Sequence, residues 1–259
     1  MERLLIDIGG TYIKCSDGRC IPVNSAGSHE GIVASMREAV AGYEGVSVAV
    51  PGPFDYHTGQ FLMKHKFQSV YGERFSELTG VRDCRFMHDV NCMLLGEMMK
   101  GNGAGYKRVA LVALGTGLGF ALSIDGEILV NNVGSPAVTI YHRPYLDGIL
   151  EDYVSKRGLI KLFDEGDNIT VKEIAEKAKS GNDKAVQAFK TMGSIIAEQI
   201  SPILNEYKVE CLLLGGQISR SADLFLDVLS DKLEKSGCST VILPVSDFDN
   251  ATFFGLENI

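Results

Sequence analysis

No stretch of this 259-residue chain approaches the roughly 18 uninterrupted apolar residues that a membrane-spanning helix needs, and runs such as Val109–Leu114 stop at glycines. The amino terminus, Met1 to Gly10, lacks the basic segment, apolar segment and cleavage site of a secretory signal. The expectation is a cytoplasmic protein with no membrane partner. Basic residues are outnumbered, 25 against 33 acidic ones, and the net charge of −8 with no local basic patch disfavours a nucleic-acid partner. Proline is scarce, 7 residues, and there is no low-complexity tract, so disorder is not expected. The six cysteines (Cys15, Cys20, Cys84, Cys92, Cys211, Cys238) include no C-x-x-C pair. That excludes a zinc ribbon and a secreted disulfide framework, and leaves reduced thiols, most of them buried.

What remains is an ordinary globular composition, 45% apolar with 29 glycines, on a chain long enough for one large domain or two lobes. Periodicity predicts strands over 3–8, 12–15 and 19–23, with an Asp17-Gly18 turn joining the last two, and then a helix over 29–42 capped by Ser28. A buried strand at Gly45–Val50 runs into Pro51-Gly52-Pro53, and a strand near 84–88 precedes a helix over 90–100. After a glycine-rich joint at 101–105 the pattern starts again. Strands are expected over 109–114, 120–124 and 128–130, with an Asp125-Gly126 turn, and helices over 146–156, 171–180 and 182–207, the last interrupted at Gly193 and Pro202. A strand over 210–214, a helix over 222–235 and a strand over 240–243 follow. This gives an α/β chain of two lobes, 1–105 and 106–259, with related opening meanders.

Three glycine turns end hydrophobic strands. In the first, Asp7 precedes Gly9, Gly10, Thr11 and Lys14; the glycines let backbone amides approach an anion, Thr11 adds a donor, and Asp7 can hold Mg²⁺ through water. A plain hairpin is the competing explanation. The second turn carries Gly115, Thr116, Gly117 and Gly119, and is followed by a strand where a dinucleotide fold would have a helix. A Walker loop would need Gly-Lys-Ser/Thr, which is absent. The third turn carries Gly215 and Gly216. A nucleotide lying between two lobes would use all three.

These residues resemble the ROK family (repressors, open reading frames and kinases), a branch of the actin-like ATPase and sugar-kinase superfamily. Asp7–Lys14 is similar to its first phosphate motif, 50–54 to its Val-Pro-Gly-Pro segment, and 89–97 to its Asp-x-Asn-Cys-x-x-x-Gly-Glu helix start. Leu114–Gly119 is similar to its second phosphate motif and 214–219 to its adenosine-side turn. The resemblance implies a two-lobed, ribonuclease H-like fold, each lobe a mixed sheet flanked by helices, and phosphorylation of a sugar hydroxyl by ATP with Mg²⁺, in the manner of a glucokinase. It implies a homodimer too. Asp89, by itself more readily a helix cap, becomes under this resemblance the catalytic base that accepts the sugar proton. His88, Asn91 and Glu151 become the sugar contacts.

The departures lie on the sugar side. His88 stands where the family usually has Asn. Counting from Gly115, the family's Glu-x-Gly-His falls on Val138-Thr139-Ile140-Tyr141, and its cysteine loop is shortened to 142–148, so no zinc site is expected. These losses keep open a second reading, a sugar-sensing or scaffold protein with little turnover, and suggest loose sugar selection. With Asp7 so near the start, a DNA-binding repressor is not expected. Lys64-His65-Lys66 reads as a solvated loop before a phosphate or sugar contact, and Met93, Met98 and Met99 as core.

Overall fold

The computed structural model describes residues 3–166 and 168–259. The chain forms two compact units, one from residues 3–100, Ile128–Ala137 and Asp249–Ile259, the other from Gly101–Glu127 and Val138–Phe248.

In the first unit, Leu4–Ile8 pairs antiparallel with Tyr12–Cys15, which pairs antiparallel with Cys20–Pro22. Asp17 and Gly18 make the tight turn of this meander, Gly18 at φ +90°. On its other edge Leu4–Ile8 pairs parallel with Gly45–Val50, and that strand pairs parallel with Asp83–His88. Alternate residues of these strands, Leu4, Ile6, Ile8, Val46, Val48 and Val50, enter one apolar core. Helix His29–Val40 returns the chain between two parallel strands; the Ser28 hydroxyl accepts the Gly31 N–H at 3.2 Å, and Ile32, Val33, Met36, Ala39 and Val40 form its buried stripe.

The second unit repeats the arrangement. Its sheet runs Glu127–Ile128, Leu118–Ile124, Arg108–Leu114, Cys211–Gly215, Val241–Pro244; Leu118–Ile124 pairs antiparallel with Arg108–Leu114, and the last three strands are parallel. Cys211–Gly215 is buried at every position, as a central parallel strand must be. Among the described residues no helix is long and apolar enough to cross a membrane. All six cysteines are free, and four of them are buried.

Several elements differ from expectation. Asp183–Tyr207 is one continuous helix. The carbonyl that Pro202 cannot serve, that of Glu198, accepts the Ser201 hydroxyl at 3.4 Å, and Gly193 lies against Phe225, whose carbonyl a Cβ would approach to 2.9 Å. The expected helix over 146–156 is a two-stranded hairpin, Pro144–Tyr145 with Gly148–Ile149, followed by helices Glu151–Val154 and Lys156–Phe163. Leu146 turns the hairpin at φ +48°. The 222–235 region splits into a 3₁₀ segment, Gln217–Leu224, and helix Leu226–Lys235.

Of the methionines expected in the core, Met93 and Met98 are half-buried and Met99 lies outside it. Met99 is 56% exposed, because helix Asp89–Lys100 turns its Gly96 face toward a carboxyl-terminal helix, Ala251–Leu256. Their backbones come so close that a Cβ on Gly96 would sit 2.2 Å from the Ala251 carbonyl, and one on Gly255 2.0 Å from that of Cys92.

Candidate active site

In the first unit three parallel strands deliver their carboxyl ends to one edge of the sheet, the edge where α/β folds bind ligands. Leu4–Ile8 brings Asp7, Gly45–Val50 brings Pro51 and Gly52, and Asp83–His88 brings His88 and, one residue on, Asp89. Asp89 opens helix Asp89–Lys100, and its Oδ1 accepts the Val90 N–H at 2.7 Å. The same oxygen lies 2.8 Å from His88 Nδ1, so one face of the carboxylate is fixed. The side chain is still 42% exposed. Burial works to raise the Asp89 pKa, but the His88 charge and hydrogen bond, the Lys66 charge and the Val90 N–H outweigh it and hold the group down at about 2. Asp89 is therefore ionised at any physiological pH.

Asp7 behaves in the opposite way. Burial first, then the negative charge of Asp89, push its carboxyl up to about 6 against the pull of Lys14. Tyr56 borders the same edge: its hydroxyl donates to the Val50 carbonyl at 2.8 Å and its ring lies 5.8 Å from that of His88. Burial, then Asp89 and Cys92, hold the phenol well above its usual range. A Cβ on Gly52 would come within 3.3 Å of His88 Nε2, so the imidazole rests directly on that backbone.

Of the expected sugar contacts, His88 is beside Asp89, and Asn91 lies two residues on. Asn91 is fully buried, with neither its amide nitrogen nor its amide oxygen hydrogen-bonded. An unpaired buried amide is costly, on the order of 1–3 kcal/mol per group. The expected phosphate donors Gly9, Gly10, Thr11 and Lys14 lie at the Asp7 end, with Gly10, Thr11 and Lys14 exposed. Sequence reasoning missed Tyr56 and set Lys66 aside; only the folded chain brings the Lys66 charge to bear on Asp89 and sets Tyr56 beside His88.

In the second unit the parallel strands also end in glycines. Gly115, Thr116, Gly117 and Gly119 follow or open the Arg108–Leu114 and Leu118–Ile124 strands, and Gly215 and Gly216 end Cys211–Gly215. At Gly115 a Cβ would meet nothing within 4 Å, so that part of the turn is open. Gly216 has no such freedom. At φ +79°, with the Leu114 carbonyl 2.3 Å from a Cβ position, only glycine fits. Glu151, expected on the sugar side, has both oxygens engaged here: Oε2 accepts the Leu118 N–H at 2.9 Å, and Oε1 lies 2.9 Å from Arg157.

Among the described residues no cluster of three or more His, Cys, Asp or Glu side chains is placed to hold a metal ion. Val138 is half-buried, and Tyr141, at the position expected to have lost a zinc ligand, is 41% exposed.

With this geometry in hand, comparison with known proteins is decisive: a profile of the ROK family matches residues 29–139 and 145–253. The chain belongs to the ROK family. It is 24% identical to a glucokinase of Halalkalibacterium halodurans over 88% of this chain and 84% of that one. The ROK family also includes regulators: the DNA-binding transcriptional repressor Mlc of Escherichia coli is 21% identical over 73% of this chain and 52% of Mlc. A crystal structure of a ROK glucokinase from Streptomyces griseus, in complex with glucose and AMPPNP, superposes with a TM-score of 0.82 at 22% identity, covering 99% of this chain and 98% of that one. The actin-like ROK fold expected from the motifs is thus the fold observed.

Proposed function

We propose that the protein is an ATP-dependent sugar kinase, with Asp89 accepting the proton of the attacking hydroxyl. The observation that carries this is the state of Asp89: ionised, half-exposed, and held on one oxygen by His88 and the Val90 N–H, so that the other is left for a substrate. Phosphoryl transfer asks mainly for positioning and charge stabilisation, with a carboxylate to receive the hydroxyl proton. A carboxylate of pKa about 2 is a weak base. It suits a transition state in which the hydroxyl proton leaves late, once its oxygen has begun to bond to phosphorus.

The residues fit ATP and Mg²⁺. The glycine turns offer backbone amides to phosphates, at Gly9, Gly10 and Thr11 with Lys14, and at Gly115, Thr116, Gly117 and Gly119; Gly215 and Gly216 serve the adenosine side. Asp7 suits a hydrated divalent cation, because burial first and the negative charge of Asp89 second disfavour its ionised form, and a cation would offset both. When bound, Mg²⁺ supplies charge neutralisation on the phosphates. The glucokinase relatives support a hexose as substrate, with His88, Asn91 and Glu151 as its polar contacts, and the family kinship supports a homodimer in the cytoplasm.

A second reading is a sugar-sensing protein with little turnover. It is favoured by Val138 and Tyr141 in place of the expected Glu and His and by a repressor among the relatives. A coupled ADP-release screen over glucose, mannose, fructose, N-acetylated amino sugars and β-glucosides separates the two. The kinase reading expects sugar-dependent release; sugar binding without release from any of them supports the sensor.

A further inference from the structure

We propose that Arg157 is a positioning residue for the nucleotide, holding the Glu151 carboxylate against the glycine turn after strand Arg108–Leu114. The proposal rests on the kinase reading in one respect, that this turn receives ATP.

Glu151 lies on the turn itself. Its Oε2 accepts the Leu118 N–H at 2.9 Å, and a Cβ on Gly117 would come within 2.7 Å of that oxygen. A carboxylate so close to phosphate-binding amides is a hazard, since an unrestrained negative charge competes with phosphate for the same N–H groups and repels it. Here the charge is both partly offset and pinned. The Arg157 guanidinium lies 2.9 Å from Glu151 Oε1 and 2.7 Å from Asp152 Oδ1.

Asp152 is fixed in turn, its Oδ2 accepting the Ile149 N–H at 3.0 Å. One guanidinium thus joins two carboxylates, each anchored to a backbone amide, one in the glycine turn and one in the hairpin of Pro144–Tyr145 with Gly148–Ile149. Both contacts come from one nitrogen, Nη2, whose two N–H groups are shared between the carboxylates. The helix that carries Arg157 makes a further bond to the turn, as the Lys156 N–H donates to the Gly115 carbonyl at 2.8 Å. Arg157 itself is 57% exposed, so its removal leaves the core intact.

The test is calorimetric titration of the full chain with a non-hydrolysable ATP analogue and Mg²⁺, without sugar. Arg157→Ala is expected to weaken binding about three- to fivefold, the size a partly exposed ion pair supports, with an unchanged melting temperature. Glu151→Gln, added to Arg157→Ala, is expected to restore binding, because the amide oxygen still accepts the Leu118 N–H but carries no charge. A purely structural role for Arg157 predicts no such rescue. Unchanged affinity in Arg157→Ala, or a loss that Glu151→Gln does not relieve, overturns this role alone. A wild-type protein that binds no analogue at all overturns the kinase reading and this role together.

Discussion

Asp7 and Asp89 interact as like charges at the carboxyl ends of the parallel strands of one sheet, and their pKa values are driven in opposite directions. Asp89, near His88 and Lys66, is held at about 2, while Asp7, half-buried in its strand, is pushed up to about 6 by desolvation and the Asp89 charge. One carboxylate is ionised down to acid pH, and the other titrates close to neutrality.

This division predicts a pH-dependent stability difference. A carboxyl whose folded pKa lies above its ordinary value loses stability as pH rises from about 4 through about 6. Asp7→Asn is therefore expected to match the wild type near pH 4 and to exceed it at pH 8 by on the order of 1–3 kcal/mol, while binding Mg²⁺-nucleotide more weakly. Chemical denaturation at the two pH values checks this; a difference that does not grow with pH refutes the account of Asp7.

His88 has the reverse signature. The lowered Asp89 pKa gives stability that is present above about 4 and lost as pH falls toward 2. His88→Ala removes the strongest attraction behind it, so it should cost about 1–2 kcal/mol at pH 7 and progressively less below pH 4. A penalty that persists undiminished at pH 2 would show that His88 contributes packing alone.

Gly216→Ala should be far more damaging than an alanine at Gly115. The first places a Cβ 2.3 Å from the Leu114 carbonyl at positive φ, the second meets open space. A loss of about 2 kcal/mol or more is expected at Gly216 and less than about 1 kcal/mol at Gly115, read as shifts in melting temperature. Equal effects would contradict the packing described.

Sugar selection should be loose. A site discriminates strongly when the wrong ligand leaves its buried polar groups unpaired, and Val138 offers no such group. Epimers and deoxy sugars are expected to differ in kcat/KM by less than about 10³, a margin of about 4 kcal/mol. A stricter preference for glucose would mean that another side chain has taken over the role of the missing Glu.

Much of this was legible in the sequence because the signals are local. The meanders announce themselves through Asp17-Gly18 and Asp125-Gly126 between short apolar strands, and Gly45–Val50 reads as buried from its composition alone. Helix Ala251–Leu256 was not legible, since six residues carry too little periodicity, and it is fixed by the close approach of Gly255 to Cys92 across the chain. The unbroken helix through Pro202 depends on Ser201 covering one carbonyl, a tertiary detail. At the site, Asp7, Asp89 and the glycine turns stood out by motif. The influence of Lys66 on Asp89 and of Asp89 on Tyr56, and the engagement of Glu151 by Leu118 and Arg157, depend on how the chain folds and left no mark on the linear pattern.

The central claim is that Asp89 is the base of a sugar kinase, and single-turnover phosphorylation of the best sugar from the release screen, wild type against Asp89→Asn, tests it most directly. The account predicts that Asp89→Asn folds, binds the ATP analogue as the wild type does, and loses about 10²–10⁴ in rate. A variant that transfers phosphate at close to the wild-type rate would contradict it.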